Sequence, residues 1–394
     1  MSNYIEYKDS VAFHPGYYIK EIIEESGLSQ EDFAKRLGTT PKNLSILVRG
    51  DQSLSIDMAS KLSRMLGTSV SYWLNLQQSY DERRAEILSE RELEKERDVI
   101  RLIDYNYFRD NFALPDLPRK TDDKIVHLRE FLSVSSLAVL EEEDLAVAFR
   151  SGSERPLSRS NVVNANAMVQ VAVNDALSID SPKFNRQKFD DAVDFALRQT
   201  CNHQQFLPVI RDAFSSAGVV LVVLPNLKNS GISGATKRLG GRILLMVNDR
   251  RHYEDTFWFA LFHELGHIVN GEMGITPDMD TGLTAKSDKG SLTNDCKSKN
   301  AQVEKNHLKE EHSADVYARN KLIPPEAYEQ FINGRTSFDE SLIRSFAKEI
   351  NRDPGIVYGR LQKDRLIAYS EMLLSKKLRH HFDPNSFSGK PAHR

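Results

Sequence analysis

The sequence predicts a mainly α-helical protein with a small β-sheet, an α+β fold class. Three observations support this prediction: capped helical segments fill residues 12–80, a continuous apolar strand lies at Val219–Leu224, and an apolar helix lies at Thr256–Gly271. A chain of 394 residues, 40% of them hydrophobic, is long enough for two or three domains. We expect a helical domain at 1–80, a helical linker and spacer at 81–200, a mixed domain at 201–375, and a basic, disordered tail at 376–394.

Composition limits which binding partners and which cellular compartment are expected. The formal net charge of −3 gives no overall field that would draw the chain to nucleic acid or to acidic lipid. Two cysteines, Cys201 and Cys296, are too few for a disulfide framework and suit a reducing compartment. Met1–Ser10 is polar and no long apolar run follows it, so we expect no signal peptide, no membrane contact and a cytoplasmic location.

The first 80 residues contain the start and stop signals of five short helices. Ser29 and Thr40 are predicted N-caps of the second and third helices, and Gly38 separates the two. Two short helices joined by a glycine-containing turn form a helix-turn-helix, whose second helix enters the DNA major groove. The predicted spans are Tyr17–Glu25, Gln30–Leu37, Pro41–Val48, Ser55–Leu66 and a fifth helix that begins near Ser69.

Polar and basic side chains on and beside the third helix are the candidate DNA contacts. Groups of this kind reach base edges and phosphates. Residues 1–80 hold eight Lys+Arg against nine Asp+Glu, so a helical adaptor domain that binds no DNA is the alternative. The candidates are Gln30, Thr40, Lys42, Asn43, Ser45 and Arg49.

A family resemblance favours the DNA-binding interpretation. The matching stretches are His14-Pro15-Gly16, Gly27-Leu-Ser-Gln-Glu-Asp-Phe-Ala-Lys-Arg-Leu-Gly-Thr-Thr40 and Tyr72-Trp-Leu-Asn-Leu-Gln-Gln-Ser-Tyr-Asp81. Over residues 12–85 the chain resembles the Xre-type antitoxins of the HigA class. The resemblance implies a homodimer that binds operator DNA and represses its own operon, with a cognate toxin as a protein partner.

Residues 81–200 are predicted to be helical. Asp81–Arg101 is dense in charges of both signs, which is typical of a solvated helix with ion pairs four residues apart. Its leucines are too sparse for a sustained coiled-coil seam, so a coiled-coil dimer is the minor alternative. Residues 102–200 show no recognisable chemistry, and we expect a scaffold or dimerisation role.

The apolar segment Thr256–Gly271 contains three polar residues that a protein core normally excludes. His263 and His267 are four residues apart, so both imidazoles lie on one helical face and could hold one Zn²⁺. Glu264 lies beside them, where a carboxylate can take a proton from a water on the ion and later give it to a leaving amine. This His-Glu-x-x-His spacing is the pattern of zinc metallopeptidases.

A zinc peptidase site needs a third protein ligand. In Glu310–Pro324, Glu311 shares a helical face with Ala314 and Ala318, which predicts that Glu311 points inward as this ligand. Asp315, one turn later, is predicted to accept a hydrogen bond from a ligand histidine. The competing ligands are Glu310, His307 and His312, and the unassigned candidates for an oxyanion donor are Tyr317 and His312.

These two segments resemble the ImmA/IrrE family of zinc metallopeptidases over roughly residues 200–370. The matching motifs are His263-Glu-Leu-Gly-His267, Glu311-x-x-Ala-Asp-x-Tyr-Ala318 and Leu322-Ile-Pro324. Family members usually have Glu and Phe where this chain has Ser313 and Tyr317. The resemblance implies a zincin-like domain at 201–375 and an endopeptidase that cleaves a repressor, an antitoxin or its own chain. The alternative is a non-catalytic antitoxin or repressor in which this domain is a sensor or binds the toxin.

Two further segments bear on a substrate. Gly231–Gly234 and Arg242–Val247 predict a hairpin across a Gly-rich turn, and its edge could hold a substrate backbone by strand addition. A purely structural hairpin is the alternative. Thr276–Lys305 is polar and predicts a surface loop that could cover the site, with Cys296 as a bystander or an inhibitory zinc ligand.

Overall fold

The computed structural model describes residues 3–142, 158–248, 252–272, 309–383 and the backbone of 274–277. The chain divides into two compact units, Met1–Arg97 and Asp98–Arg394. Among the described residues, no helix combines the length and the apolar character needed to cross a lipid bilayer. Residues 278–305 of the predicted loop, which include Cys296, lie outside the described residues. His307 lies outside them as well.

The first unit contains the five helices expected from the sequence and a strand pair that was not expected. Strands β1 (Tyr4–Tyr7) and β2 (Ser10–Phe13) are antiparallel and too short to give a clear alternation signal. The helices are α1 (Pro15–Ser26), α2 (Gln30–Leu37), α3 (Pro41–Val48), α4 (Ile56–Leu66) and α5 (Val70–Ile100).

Capping and a glycine turn define the α2–α3 pair. Ser29 Oγ accepts a hydrogen bond from the backbone N–H of Asp32 at 3.1 Å, and Thr40 Oγ1 accepts one from Asn43 at 3.2 Å. Each cap satisfies a donor that the first helical turn leaves without an intrahelical partner. Gly38 ends α2 in the left-handed conformation at φ 71°, which lets the chain turn directly into α3.

Helix α5 is continuous, whereas the sequence predicted a short fifth helix followed by a separate charged one. Neither glycine nor proline interrupts residues 70–100, so nothing stops the helix between the two predicted segments. Its charged half is held by the strand pair: Lys8 Nζ lies 2.6 Å from Glu94, and Arg91 donates to the carbonyl of Glu6 at 2.8 Å. Burial of Trp73 in the core fixes the other end.

The second unit is built on a four-stranded sheet. Its strands are β3 (Val219–Leu224), β4 (Ile232–Leu239), β5 (Arg242–Asn248) and β6 (Gly274–Pro277), in the order β3-β5-β4-β6. β3 runs parallel to β5, and β4 runs antiparallel to both of its neighbours. The predicted hairpin is therefore present as β4–β5. Substrate cannot add to β4 along residues 232–236, because β6 already pairs with that edge.

The helices that precede the sheet belong to the same unit. The sequence predicted a domain boundary at residue 200, whereas helix α8 packs on β3 and β5 and is buried along most of its length. A helix with buried residues on so many faces needs neighbours on several sides, so it cannot act as a free spacer. These helices are α6 (Tyr105–Phe112), α7 (Thr121–Leu132), α8 (Arg159–Ser178), α9 (Arg186–Arg198) and α10 (Phe206–Ser216), with a 3-10 turn at Leu137–Glu141.

The remaining helices include the apolar helix predicted at 256–271, and they contribute to one apolar core. They are α11 (Glu254–Asn270), which is that helix, α12 (309–322), α13 (Pro325–Ile332), α14 (Glu340–Glu349), α15 (Pro354–Lys363) and α16 (Met372–Leu378). The sequence predicted disorder from residue 376, whereas the structure folds residues 376–383. The reason is Phe382, which is 1% exposed and packs on Phe257 with ring centroids 4.7 Å apart. Residues 384–394 lie outside the described residues.

Candidate metal centre on helix α11

Helix α11 is fixed at its N-terminus by a residue from the end of the folded chain. Arg379 donates to Asp255 at 2.9 Å and to Thr256 at 3.0 Å, and its guanidinium lies 3.8 Å from the ring centroid of Tyr253. Asp255 is 3% exposed, and Arg379 compensates for the burial of this carboxylate. The apolar residues of α11 enter the core of the second unit.

Small residues let α11 and α12 approach closely. A Cβ on Gly266 would lie 3.1 Å from the Cα of Ala314, so a larger residue at this position of α11 would press on the backbone of α12. Ala314 and Ala318 are buried on the facing side of α12. Because Glu311 lies one turn before Ala314, the same contact directs it towards the two histidines of α11.

Two histidines and one carboxylate converge at this crossing. His263 Nε2 lies 3.1 Å from His267 Nε2 and 3.2 Å from Glu311 Oε2, and Glu311 Oε1 lies 3.5 Å from His267 Nε2. His267 is fully buried, Glu311 is 4% exposed, and the side chain of His263 is 13% exposed. We refer to His263, His267 and Glu311 as the α11 cluster. The structure thus brings together the three ligands predicted from the sequence.

The outer nitrogen of each histidine faces a carboxylate. His263 Nδ1 lies 2.9 Å from Asp315 Oδ1, and His267 Nδ1 lies 2.9 Å from Glu272 Oε2. With Nδ1–H donating to these carboxylates, the Nε2 atom of each neutral ring presents a lone pair. Two lone pairs that face each other at 3.1 Å repel unless a proton or a cation lies between them.

Glu272 is a site residue that the sequence analysis missed. Gly271 ends α11 in the left-handed conformation, and the backbone N–H of Glu272 then donates to the carbonyl of His267 at 2.8 Å. This helix-ending turn folds the chain back, so Glu272 reaches the ring of His267. An acidic residue directly after the predicted Asn270-Gly271 stop was the available signal.

The charges around His263 favour a positive charge at the centre of the cluster. Burial alone would lower the pKa of His263, but hydrogen bonds to Asp315 and Glu311 and the charge of Glu264 raise it to about 10. Burial alone would raise the pKa of Asp315, but the hydrogen bond with His263 and the charge of Arg319 hold it below its usual range. A proton on His263 and a bound cation compete, because an imidazole ligand must be neutral.

The donor set fits a divalent cation. Two donors about 2.1 Å from one tetrahedral ion lie about 3.4 Å apart, and the donor atoms of the α11 cluster are separated by 3.1–3.5 Å. The buried Oε1 of Glu311 accepts no hydrogen bond from the described residues, so it retains a lone pair for an ion. Two imidazoles and one carboxylate could therefore hold such an ion with little movement.

Glu264 lies directly after His263 and against the sheet. It is 1% exposed, and a Cβ on Gly234 of β4 would lie 2.7 Å from its Cδ atom. Glycine at this position is what leaves space for the carboxylate between α11 and β4.

The remaining ligand candidates on α12 do not join the cluster. His312 is exposed and Glu310 is half-buried, and neither lies among the three converging side chains. Burial raises the pKa of Tyr317 to about 12, assisted by the charges of Asp190 and Asp194 on α9. The Tyr317 phenol thus remains a hydrogen-bond donor at neutral pH.

In the first unit, the predicted DNA contacts lie on an accessible face. Lys42 and Asn43 are exposed at the start of α3, and Ser45 is half-buried. Arg49, exposed just after α3, forms an ion pair with Asp51 at 2.9 Å. Thr40 uses its hydroxyl oxygen as the cap of α3, so its role in the fold is separate from any contact with DNA. Gln30 is exposed at the first position of α2.

Comparisons with known proteins relate the first unit to a family of known fold. The sequence model of the helix-turn-helix family matches residues 19–73. An uncharacterised HTH-type transcriptional regulator of Escherichia coli, YddM, is 38% identical over 72 residues, which are 18% of this chain and 77% of that protein. Virulence-associated protein I of Dichelobacter nodosus is 36% identical over 76 residues, 19% of this chain and 70% of that protein.

A crystal structure of a Nostoc punctiforme protein, assigned as the antidote of a plasmid maintenance system, is 31% identical. The match covers 21% of this chain and 92% of that protein, with a TM-score of 0.21. The E. coli regulator is covered over more than two thirds of its length at 38% identity. By that relationship and by the match over residues 19–73, this chain belongs to the helix-turn-helix family of transcriptional regulators.

Proposed function

We propose that this helix-turn-helix regulator carries a zinc-dependent endopeptidase in its second unit, which cleaves a repressor, an antitoxin or the chain itself. One observation carries the proposal: His263, His267 and Glu311 converge, and a carboxylate faces the outer nitrogen of each histidine. Zinc is the ion of choice because two imidazoles and one carboxylate form a known catalytic zinc set with an open fourth position. When bound, the ion would polarise a peptide carbonyl and acidify a water.

Glu264 would supply the acid–base chemistry. Its carboxylate takes a proton from the attacking water as the water oxygen bonds to the scissile carbonyl carbon. The same oxygen of Glu264 then gives this proton to the amide nitrogen as the C–N bond breaks. Burial of Glu264 between α11 and β4 supports this role, because it holds the carboxylate in place beside His263.

The first unit would direct this activity to an operator. The exposed start of α3 supports a role as the helix that enters the major groove, with Asn43 at base edges and Lys42 at a phosphate. As a homodimer, the protein would place two copies of α3 about one helical turn of DNA apart.

Substitution of the proposed base tests the peptidase. Glu264→Gln removes the proton acceptor but keeps the size of the side chain, so it should reduce cleavage by about 10²–10⁴-fold while zinc stays bound. New protein N-termini would be compared by mass spectrometry in cells that express either form. Glu310→Gln, the same chemical change on α12 outside the cluster, should leave the N-termini unchanged. Identical N-termini in the Glu264→Gln and unmodified proteins would instead favour a non-catalytic sensor or toxin-binding module.

Binding to the DNA upstream of its own gene tests the operator role. Asn43→Ala should weaken binding by about 1–3 kcal/mol, because it removes a base-edge contact. Lys42→Ala should reduce the slope of log affinity against log salt by about one, because it removes one phosphate contact. Lys20→Ala on α1 is the control. Equal binding by all of these variants would contradict the assignment of α3.

A further inference from the structure

A second cluster of metal-binding side chains lies near the start of α11. His203 precedes α10, Asp353 precedes α15, and His380 follows α16. One donor atom from each of these residues lies within 4.8 Å of the other two. We propose that His203, Asp353 and His380, the C-terminal cluster, bind a divalent transition-metal ion that joins the segment after α16 to the segments before α10 and α15.

The separations of Asp353 from the two histidines suit one ion. Asp353 Oδ2 lies 3.4 Å from His203 Nε2 and 3.6 Å from His380 Nε2. Two donors on a tetrahedral ion at about 2.1 Å each are expected about 3.4 Å apart. The other oxygen of Asp353 accepts the backbone N–H of Gly355 at 2.8 Å, so the carboxylate is fixed with Oδ2 towards the rings.

An outer carboxylate orients His203, as in the α11 cluster. His203 Nδ1 lies 2.6 Å from Glu254 Oε2, and Glu254 is 3% exposed. With Nδ1–H donating to Glu254, the Nε2 lone pair of a neutral His203 faces Asp353. Carboxylates that hold the far nitrogen of a ligand histidine are a recurrent feature of protein metal sites.

The local charge is negative and buried. Glu254, Asp255 and Asp353 are each 2–3% exposed, and Arg379 pairs with Asp255. An ionised Asp353 carboxylate is costly in such buried surroundings unless a positive charge lies beside it. A divalent cation would remove the cost of ionising this carboxylate, because it provides a stronger opposite charge than a histidine can.

The two histidine rings stack face to face, which disfavours a positive charge on both at once. The imidazoles of His203 and His380 stack with centroids 3.7 Å apart and an interplanar angle of 23°. Two stacked imidazolium rings would repel, so at most one of these histidines is protonated when no metal is bound. The His380 side chain is 46% exposed, so an ion can enter from solvent and keep water at its remaining positions. The three ligands come from separate segments of the chain, so a bound ion would link these segments.

Zinc stoichiometry tests the proposal on the full chain. Metal-free protein would be equilibrated with Zn²⁺ by dialysis, and bound zinc would be counted by elemental analysis. His380→Ala should lose one equivalent, and so should Asp353→Asn, which keeps a side chain able to cap α15. Glu254→Gln should weaken this zinc by about 10–100-fold. His381→Ala, a change of the adjacent exposed histidine, should lose none. If His380→Ala and Asp353→Asn bind as much zinc as the unmodified chain, the C-terminal cluster is only a charge network.

The same experiment distinguishes failure of the C-terminal site from failure of the α11 site. Replacement of both His263 and His267 by alanine removes the α11 cluster and leaves the C-terminal cluster intact. A zinc equivalent that survives this change but disappears with His380→Ala establishes the second site, whatever the fate of the peptidase. A single equivalent that disappears only with the α11 variants overturns the second site and leaves the first standing.

Discussion

The two histidine clusters of the second unit use the same side-chain chemistry in different structural settings. The α11 cluster takes two ligands from adjacent turns of one helix, and His267 and Glu311 are buried. The C-terminal cluster takes its ligands from three separate segments, and the His380 side chain is 46% exposed. A helix fixes the spacing of its ligands locally, whereas the C-terminal cluster depends on the docking of a distant segment. Metal binding at the α11 cluster should therefore tolerate changes in packing elsewhere. Metal binding at the C-terminal cluster should weaken when that packing changes.

The largest difference between the two clusters is expected when the segment that contains Phe382 no longer packs on α11. Phe382 is buried against Phe257 and Phe206, two residues after His380. Phe382→Ala should lower the free energy of unfolding by about 3–5 kcal/mol, as expected for a buried aromatic residue. It should also weaken zinc at the C-terminal cluster while the α11 cluster keeps its ion.

Chemical denaturation and zinc dialysis would measure both effects of Phe382→Ala. Leu373→Ala is the control, because Leu373 is apolar, lies in the same region and is 74% exposed. Unchanged zinc binding at the C-terminal cluster, despite a large loss of stability, would show that docking does not set the ligand spacing.

A methyl group beside Glu264 should reduce the proposed proteolysis without affecting metal binding at either cluster. A Cβ on Gly234 would lie 2.7 Å from Glu264 Cδ, so Gly234→Ala should displace the carboxylate. Misplacement of a catalytic group by about 1 Å can cost about 10²-fold in rate. We expect proteolysis to fall by about this factor while zinc binding at both clusters is retained.

Gly241→Ala serves as the comparison for Gly234→Ala. It lies in the same hairpin, and its added Cβ would meet only the side chain of Lys183, at 2.9 Å. Peptide cleavage assays would compare the rates of the two variants. Equal rates would mean that the space beside Glu264 is not needed for the reaction.

The smallest expected effect concerns the carboxylates that orient the ligands. Asp315→Asn should weaken zinc at the α11 cluster by about 10–100-fold and leave the C-terminal cluster unchanged. Its counterpart, Glu254→Gln, should do the reverse. Competition with a chelating dye would measure each affinity. A loss at both clusters from either substitution would mean that the two sites are coupled through α11.

The sequence was sufficient for the part of the site that a single helix defines. The spacing of His263 and His267 fixed a shared face, and the small residues after Glu311 indicated which carboxylate points inward. Asp315 also lies where it was expected, 2.9 Å from His263. Helical periodicity relates such residues directly, so the structure of one element is enough to predict them.

The sequence was not sufficient where separate elements meet. His203, Asp353 and His380 share no periodicity, because tertiary packing alone brings them together. Glu272 depends on the turn after α11, and the edge of β4 depends on a strand that forms later in the chain. The buried surface of α8 likewise requires the sheet, which is why the sequence predicted an independent spacer over residues 102–200.

The contacts of Arg379 and Phe382 with the start of α11 impose an order on biosynthesis. The first unit is complete at residue 97, whereas α11 receives its last contacts only when residue 382 has left the ribosome. At roughly 5–20 residues per second, these events are separated by tens of seconds. If the proposed function holds, a nascent chain would be able to recognise its operator well before it could hydrolyse a peptide bond.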